Sequence, residues 1–406
     1  MSATPAEIGA RVRSVRRLRA MDLDVAAGLA GISRSYLAML ERGERHFNTR
    51  GLIENLANAL TCAVADLTGQ PYEPADKPSA KAMSAIPQIG LALIECTLDD
   101  VPDVRSRPVP ELAAAARLAN EHRQEVRHDL AGQGLGQLLT EQHVVAVTGS
   151  GADQEVALAA LVEACFVADV VAQDLGHTAL AVQAAERGLD AARRLGDPAL
   201  IGFAGMHLGL KLMNAGSRHR ATSVLTEVID NLAMVDPTAT DTLAAEAYGF
   251  AHLSRALLAA RSGQADTAAE HLAEATRIAR RTGERNSLTM NFGPTNIEVW
   301  RISIGVELQQ AGTVYEQAQA ANIDTAVLSK SRVGGMHLGL ARSGAQVGGR
   351  RDLDAAQHLD LADQHASQRI RHDPVALELL AELDQPAPQK TWLLESLKRR
   401  FGLVRG

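Results

Sequence analysis

Nine arginines crowd the first fifty residues, at positions 11, 13, 16, 17, 19, 34, 42, 45 and 50. Five acids share that stretch (Glu7, Asp22, Asp24, Glu41 and Glu44), so it carries +4, whereas the whole chain carries −7 and the remainder therefore −11. A guanidinium is a planar fork of donors that grips a phosphate, or the N7 and O6 edge of guanine, through two parallel hydrogen bonds. A basic end on an acidic body is the asymmetry expected when one end meets phosphate and the other does not. Other chemistry has no visible carrier. There is no HExxH, no phosphate-cradling glycine loop of the P-loop kind and no GxSxG, and Cys62, Cys96 and Cys165 stand outside any zinc or redox spacing. The 13 histidines are dispersed, with His207, His219, His252, His271 and His337 on separate predicted helices. The expectation is a non-enzyme without catalytic residues, metal or cofactor.

The arginines must be positioned by helices. Ile8, Val12, Val15 and Leu18 recur at helical spacing and leave the arginines on the other faces of a first helix. A second short helix, about 23–30, ends at Gly31, the residue type that best takes a left-handed turn. Ile32 inserts into the core and Ser33 caps a third helix over about 34–41, with Leu37 and Leu40 inward and Arg34, Ser35, Ala38 and Met39 outward. Gly43 ends it, and helices follow at about 50–60 and 64–67.

The run LAGISRSYLAMLERGER, residues 29–45, resembles the phage-repressor, or Xre-type, helix-turn-helix. In that family the third helix enters the major groove of double-stranded DNA and paired domains read half-sites about one DNA turn apart. The resemblance places Arg34, Ser35 and Met39 at base edges, with Ser33 at the helix start counted in the DNA-facing set. It places Tyr36, Arg42, Arg45 and Arg50 near phosphates, where contacts fix register and not sequence. Arg16 and Glu41 match positions that form an internal ion pair. Two positions depart from the pattern: Leu23 stands where a bracing glutamine is frequent, and Met39 offers only apolar contact.

From Gly69 to about Ala85 the chain reads as an exposed proline-rich connector. The apolar stretch 86–96 beyond it either pairs domains or packs on the body. After Glu111 comes helix upon helix, with Asp197-Pro198 and Asp373-Pro374 signing two helix starts. A turn glycine precedes an alanine by five residues in Gly176/Ala181, Gly216/Ala221 and Gly263/Ala268. Small or aliphatic residues then recur at Ala185, Leu225 and Leu272 and at Gly188, Val228 and Ala275; Gly349 with Ala355, Leu359 and Ala362 is a looser copy. The pattern resembles tetratricopeptide (TPR) repeats, stretched beyond the standard period. Such stacks leave a concave face suited to an elongated partner.

The stretch MNFGPTNIEVWRISIGVEL, residues 290–308, interrupts the array. Asn291, Thr295, Asn296 and Trp300 either floor a ligand site there, or Pro294 opens a helix and Trp300 fills the core.

The expected fold is all-α: a five-helix helix-turn-helix domain over 1–72, a linker and connecting helix over 73–110, a TPR-like array over 111–384 for sensing or oligomerisation, and a capping helix over 385–406. Only 12 aromatic residues and an excess of alanine and leucine agree with that class. The order of parts resembles large actinobacterial regulators, and 35 arginines against 6 lysines fit a GC-rich genome. It also resembles peptide-pheromone receptors, which implies a small-molecule or peptide effector in the array. The expectation is a homodimeric regulator on a palindromic operator; the alternative is a TPR-type scaffold that the first domain only tethers to DNA. The arginine-rich start has no secretory signal, and the longest apolar stretch, 156–172, is interrupted by Glu163 and Asp169, so a cytoplasmic protein with no membrane partner is expected.

Overall fold

The computed structural model describes residues 7–233, 242–385 and 392–403. Among them every regular element is helical apart from an isolated bridge between Arg285 and Phe292. The first five helices are α1 (Glu7–Leu18), α2 (Leu23–Leu29), α3 (Arg34–Glu41), α4 (Arg50–Ala59) and α5 (Val64–Thr68). Gly31 takes φ +72° between α2 and α3, as the turn requires, and the Ser33 side chain accepts from the Tyr36 amide at 3.2 Å. Ile8, Val12, Leu37, Leu40, Ile53 and Leu56 fill the core of this unit.

The connector is shorter than its composition suggests. Asp76 caps a nineteen-residue helix, α6 (Lys77–Glu95), by accepting from the Ser79 amide at 2.7 Å. Pro78 falls in its first turn, where a missing N–H costs nothing. Ala82, Ile86, Ile89 and Leu93 enter the core of the body, so α6 packs there. α7 (Val109–Gln124), the short α8 (His128–Ala131) and α9 (Leu135–Thr148) complete this end.

Antiparallel pairs follow: α10 (Gly151–Asp174) with α11 (Thr178–Leu195), α12 (Pro198–Asn214) with α13 (Arg218–Ala233), and α14 (Thr242–Arg261) with α15 (Ala265–Thr282). α16 (Pro294–Glu307), α17 (Ala311–Ala321), α18 (Lys330–Val347), α19 (Asp352–Ile370), α20 (Pro374–Leu383) and α21 (Trp392–Arg400) extend the array. Asp197 and Asp373 cap α12 and α20 as their Asp-Pro pairs predict. Ala181, Ala221 and Ala268 are all buried behind the turn glycines. Within the second pair Gly202, Gly205 and Gly209 of α12 lie against Leu232, Val228 and Leu225 of α13, so close that a Cβ would fall 2.5–2.6 Å from those side chains.

α21 buries Leu394 and Leu397, and Phe401 just beyond it, against the end of the array. In the basic tail Lys398 pairs with Asp384 at 3.0 Å and Arg400 with Asp360 and Asp363. Pro386, Lys390 and Arg405 lie outside the described residues. No helix of the described residues is long and apolar enough to cross a membrane.

Candidate nucleic-acid interface and buried cationic cavity

Ser33, Arg34 and Ser35 are exposed at the start of α3. Arg34 is about two-thirds exposed, with Asp24 of α2 at 3.6 Å. Buried Leu37 and Leu40 hold the helix from below, and Arg16 braces its end by donating to both Glu41 carboxylate oxygens at 2.6 and 2.9 Å. Met39 is half-buried. Arg42 is exposed but doubly bonded to Glu44 at 2.6 and 2.8 Å, and Arg45 is exposed beyond it. Tyr36 is half-buried in the cleft toward the array, and burial raises its phenol above the usual range.

Arg50 departs from the expectation. Its guanidinium, expected near phosphate, turns into the array and meets Asp373, the cap of α20, at 3.0 Å. The whole N-terminal end of α4 is seated in the same way. Glu307 of α16 accepts from the Arg50 amide at 3.3 Å and the Gly51 amide at 3.1 Å. Arg342 of α18 donates to the Asn48 carbonyl at 2.9 Å, and the Phe47 amide donates to Glu378 of α20 at 3.2 Å. One turn along, Glu54 meets Arg261 of α14 at 2.7 Å, with Arg218 at 3.6 Å. Burial raises Glu54 above the carboxylate range against the pull of Arg261. Burial also opposes ionisation of Glu307, but Arg342 and Arg261 outweigh it and hold that carboxyl low. Val375 of α20 completes the apolar core of the first five helices.

Behind this seat the array lines a cavity of about 230 Å³. Six cations reach it: Arg50, Arg123, Lys211, Arg261, Arg332 and Arg369. Two carboxylates, Asp174 and Asp373, line it as well. Asp174 is held by His128 at 2.9 Å, while Lys211 pairs with buried Asp169 behind the wall at 2.9 Å. Arg123 donates to Asn120 at 2.8 Å and lies over the Phe166 ring at 4.4 Å. The Arg332 guanidinium makes no hydrogen bond or ion pair with the described residues and lies 5.2 Å from the Phe250 ring centroid and 5.6 Å from that of Trp300. Burial, with Arg369 and Arg123 nearby, pulls Arg332 down to about 9, and burial brings Arg123 to about 10. His207 and His372 also line the space, and burial holds both neutral at pH 7, His372 at about 4. A second chamber of about 160 Å³ shares Arg50, Arg261, Trp300, Arg332, Arg369 and Asp373 with the first.

Of the four residues around the Gly-Pro break, Trp300 reaches this cavity and the others do not. The Asn296 amide donates to the Asn291 carbonyl at 2.6 Å, and Asn291 accepts from the Ser329 amide at 3.1 Å. Both side chains brace the break, and the Thr295 amide is held by Glu284 at 2.8 Å. Pro294 opens α16, and Trp300 is at once part of the core and a wall of the cavity. The neighbouring segment carries positive φ at Leu288, Thr289 and Asn291. Such conformations are costly for residues other than glycine and persist where surroundings impose them. Thr289 and Met290 line the cavity from this segment.

The buried cations escaped the sequence reading. Their one visible signal is charge inside an apolar helix face, such as Lys211 within LGLKLMN. Among the described residues no group of three or more His, Cys, Asp or Glu side chains is placed to hold a metal ion.

Residues 7–68 match the family model of a helix-turn-helix domain. No curated protein matches the chain. Among solved structures it is similar to PlcR of Bacillus thuringiensis, in complex with the peptide PapR7 and DNA, at 9% identity and a TM-score of 0.34, over 77% of this chain and 93% of that one.

Proposed function

We propose that this protein is a sequence-specific DNA-binding transcriptional regulator, working as a homodimer on a palindromic operator, whose helical array binds a small effector. The observation that carries the first part is the exposed start of α3, with Arg34 and two serines presented on a helix-turn-helix unit whose core and Arg16–Glu41 brace fix their direction. Arg34 reads guanine and Ser35 adjoins it, while Arg42 and Arg45 meet phosphates. Regulation is supported by the seat of α4, since any change in the array around Glu307, Arg261 or Asp373 reaches the DNA-facing unit through direct bonds. The small volume of the cavity, about 230 Å³, favours a compact small molecule over an extended peptide.

Selection from random duplexes followed by fluorescence anisotropy tests this reading. Arg34→Ala should cost about 1–3 kcal/mol on the selected site and little on random DNA. An equal loss on both would reduce Arg34 to a phosphate contact, and failure to select any sequence would favour a scaffold role. Sedimentation of the complex should give two chains per site, with half-sites about one turn apart.

A further inference from the structure

The cavity behind α4 is unbalanced in a way that the fold does not resolve by itself. Of the six cations that line it, Arg50 is paired with Asp373, Arg261 with Glu54 and Lys211 with Asp169, and Arg369 lies 4.0 Å from Asp174, so the excess rests on Arg123 and on Arg332, whose guanidinium has no hydrogen-bond or ion-pair partner among the described residues. The Trp300 indole N–H, on a nearly buried side chain, also lacks an acceptor. A desolvated guanidinium beside Arg369 and Arg123 is costly, because like charges in a low-dielectric space repel strongly. Arg123 of α7, Trp300 of α16, Arg332 of α18 and Arg369 of α19 bring donors to this common space. Arginine forks bind carboxylate and phosphate groups through paired, charge-assisted hydrogen bonds. With its neighbouring chamber the space is at the small end of ligand sites, which run from about 300 to 1,000 Å³.

We propose that this cavity is a binding site for a compact multivalent oxyanion, a phosphate ester or a polycarboxylate, gripped by Arg332, Arg123 and Arg369 with the Trp300 N–H as a further donor. The inference names the effector class for the array and rests on the regulatory reading. It nevertheless concerns binding alone and is read without DNA. Arg50 and Gln70 also reach the cavity, so the site is completed by residues from the N-terminal unit and its adjoining connector. A monovalent anion matches only one of the two guanidinium groups without a carboxylate partner, Arg123 and Arg332, whereas an anion with two or more charges matches both.

The experiment uses the full chain, with inorganic pyrophosphate and citrate as probes and potassium chloride at matched ionic strength as control. Thermal unfolding should shift upward by several degrees, saturably, with at least one probe and not with chloride. Arg332→Met should unfold at a higher temperature than the parent without anion, because an uncompensated charge is gone, and should lose the saturable shift. Arg369→Gln, at a less buried position, should weaken probe affinity tenfold or more in calorimetric titration. Arg280→Ala with Arg281→Ala, in the exposed arginine groove of α15, should leave the shift intact. The proposal is overturned if neither probe exceeds chloride, if Arg332→Met and Arg369→Gln both retain parental affinity, or if the α15 variant abolishes the shift. DNA affinity of the same variants reports on the regulatory reading separately.

Discussion

At the scale of single residues, the chain uses arginine in two opposed ways. Arg34 is held in solvent at a helix end, with only the exposed Asp24 carboxylate beside it at 3.6 Å. Arg50, Arg261 and Arg342 are drawn inward by Asp373, Glu54 and Glu307. A buried pair need not stabilise more than an apolar one would, but removing one partner leaves the other desolvated and unmatched. Glu54→Gln should therefore lower unfolding stability by about 3–5 kcal/mol. Urea unfolding measures this, and a loss within about 0.5 kcal/mol would place the pair in effective contact with water.

At the scale of elements, spacing was legible wherever one helix face decides the outcome. The Gly/Ala pattern located the turns of three antiparallel pairs because a left-handed turn followed by a small buried residue is a local requirement. The same sequence did not distinguish glycines that permit close approach from glycines that do not. Gly209→Ala puts a Cβ 2.5 Å from Leu225 and should destabilise by about 1–3 kcal/mol. Gly28→Ala on exposed α2 meets nothing within 4 Å and should be neutral or stabilising by up to about 1 kcal/mol. Calorimetric melting of the two variants separates them, and equal effects would mean that α12 and α13 are not in such close contact. The connector shows the reverse error: its prolines and charges suggested an exposed strand of chain, yet Asp76 and Pro78 start a helix whose apolar stripe has somewhere to pack.

At the scale of the whole molecule, the seat of α4 makes the two parts one mechanical object. Gly51 is pressed against α14, where a Cβ would fall 2.7 Å from the Arg261 carbonyl oxygen. Gly51→Ala should lift α4, so exchange of the Phe47, Arg50 and Gly51 amides with deuterium should quicken tenfold or more while α10–α13 keep their protection. Unchanged exchange at those three amides would mean that the seat tolerates a methyl group. Acid acts on the molecule more broadly. Burial holds the folded His143, His252, His337 and His372 near 4, below the unfolded value of about 6.5. Between those values the unfolded chain binds protons that the folded chain refuses, so stability is full above about pH 6.5 and falls as pH drops through the window. Asp169, raised to about 6 by burial, opposes this in part. Unfolding midpoints should be lower at pH 5 than at pH 7. His372→Leu, which loses no protein hydrogen bond from the ring, should shrink that difference by about 1–2 kcal/mol.

The sequence alone determined the helical class, the first five helices and the exposed presentation of Arg34, because each depends on periodicity, caps and turn residues a few positions apart. It did not place Arg50, for which inward and outward positions on one helix look alike until the surface opposite is known. That surface is built from Glu307, Asp373 and Arg261, more than two hundred residues further along. The cationic cavity had the same origin. Arg123, Arg332 and Arg369 stand on separate helices, and only packing brings their guanidinium groups to one space, where reduced access of water strengthens their interaction.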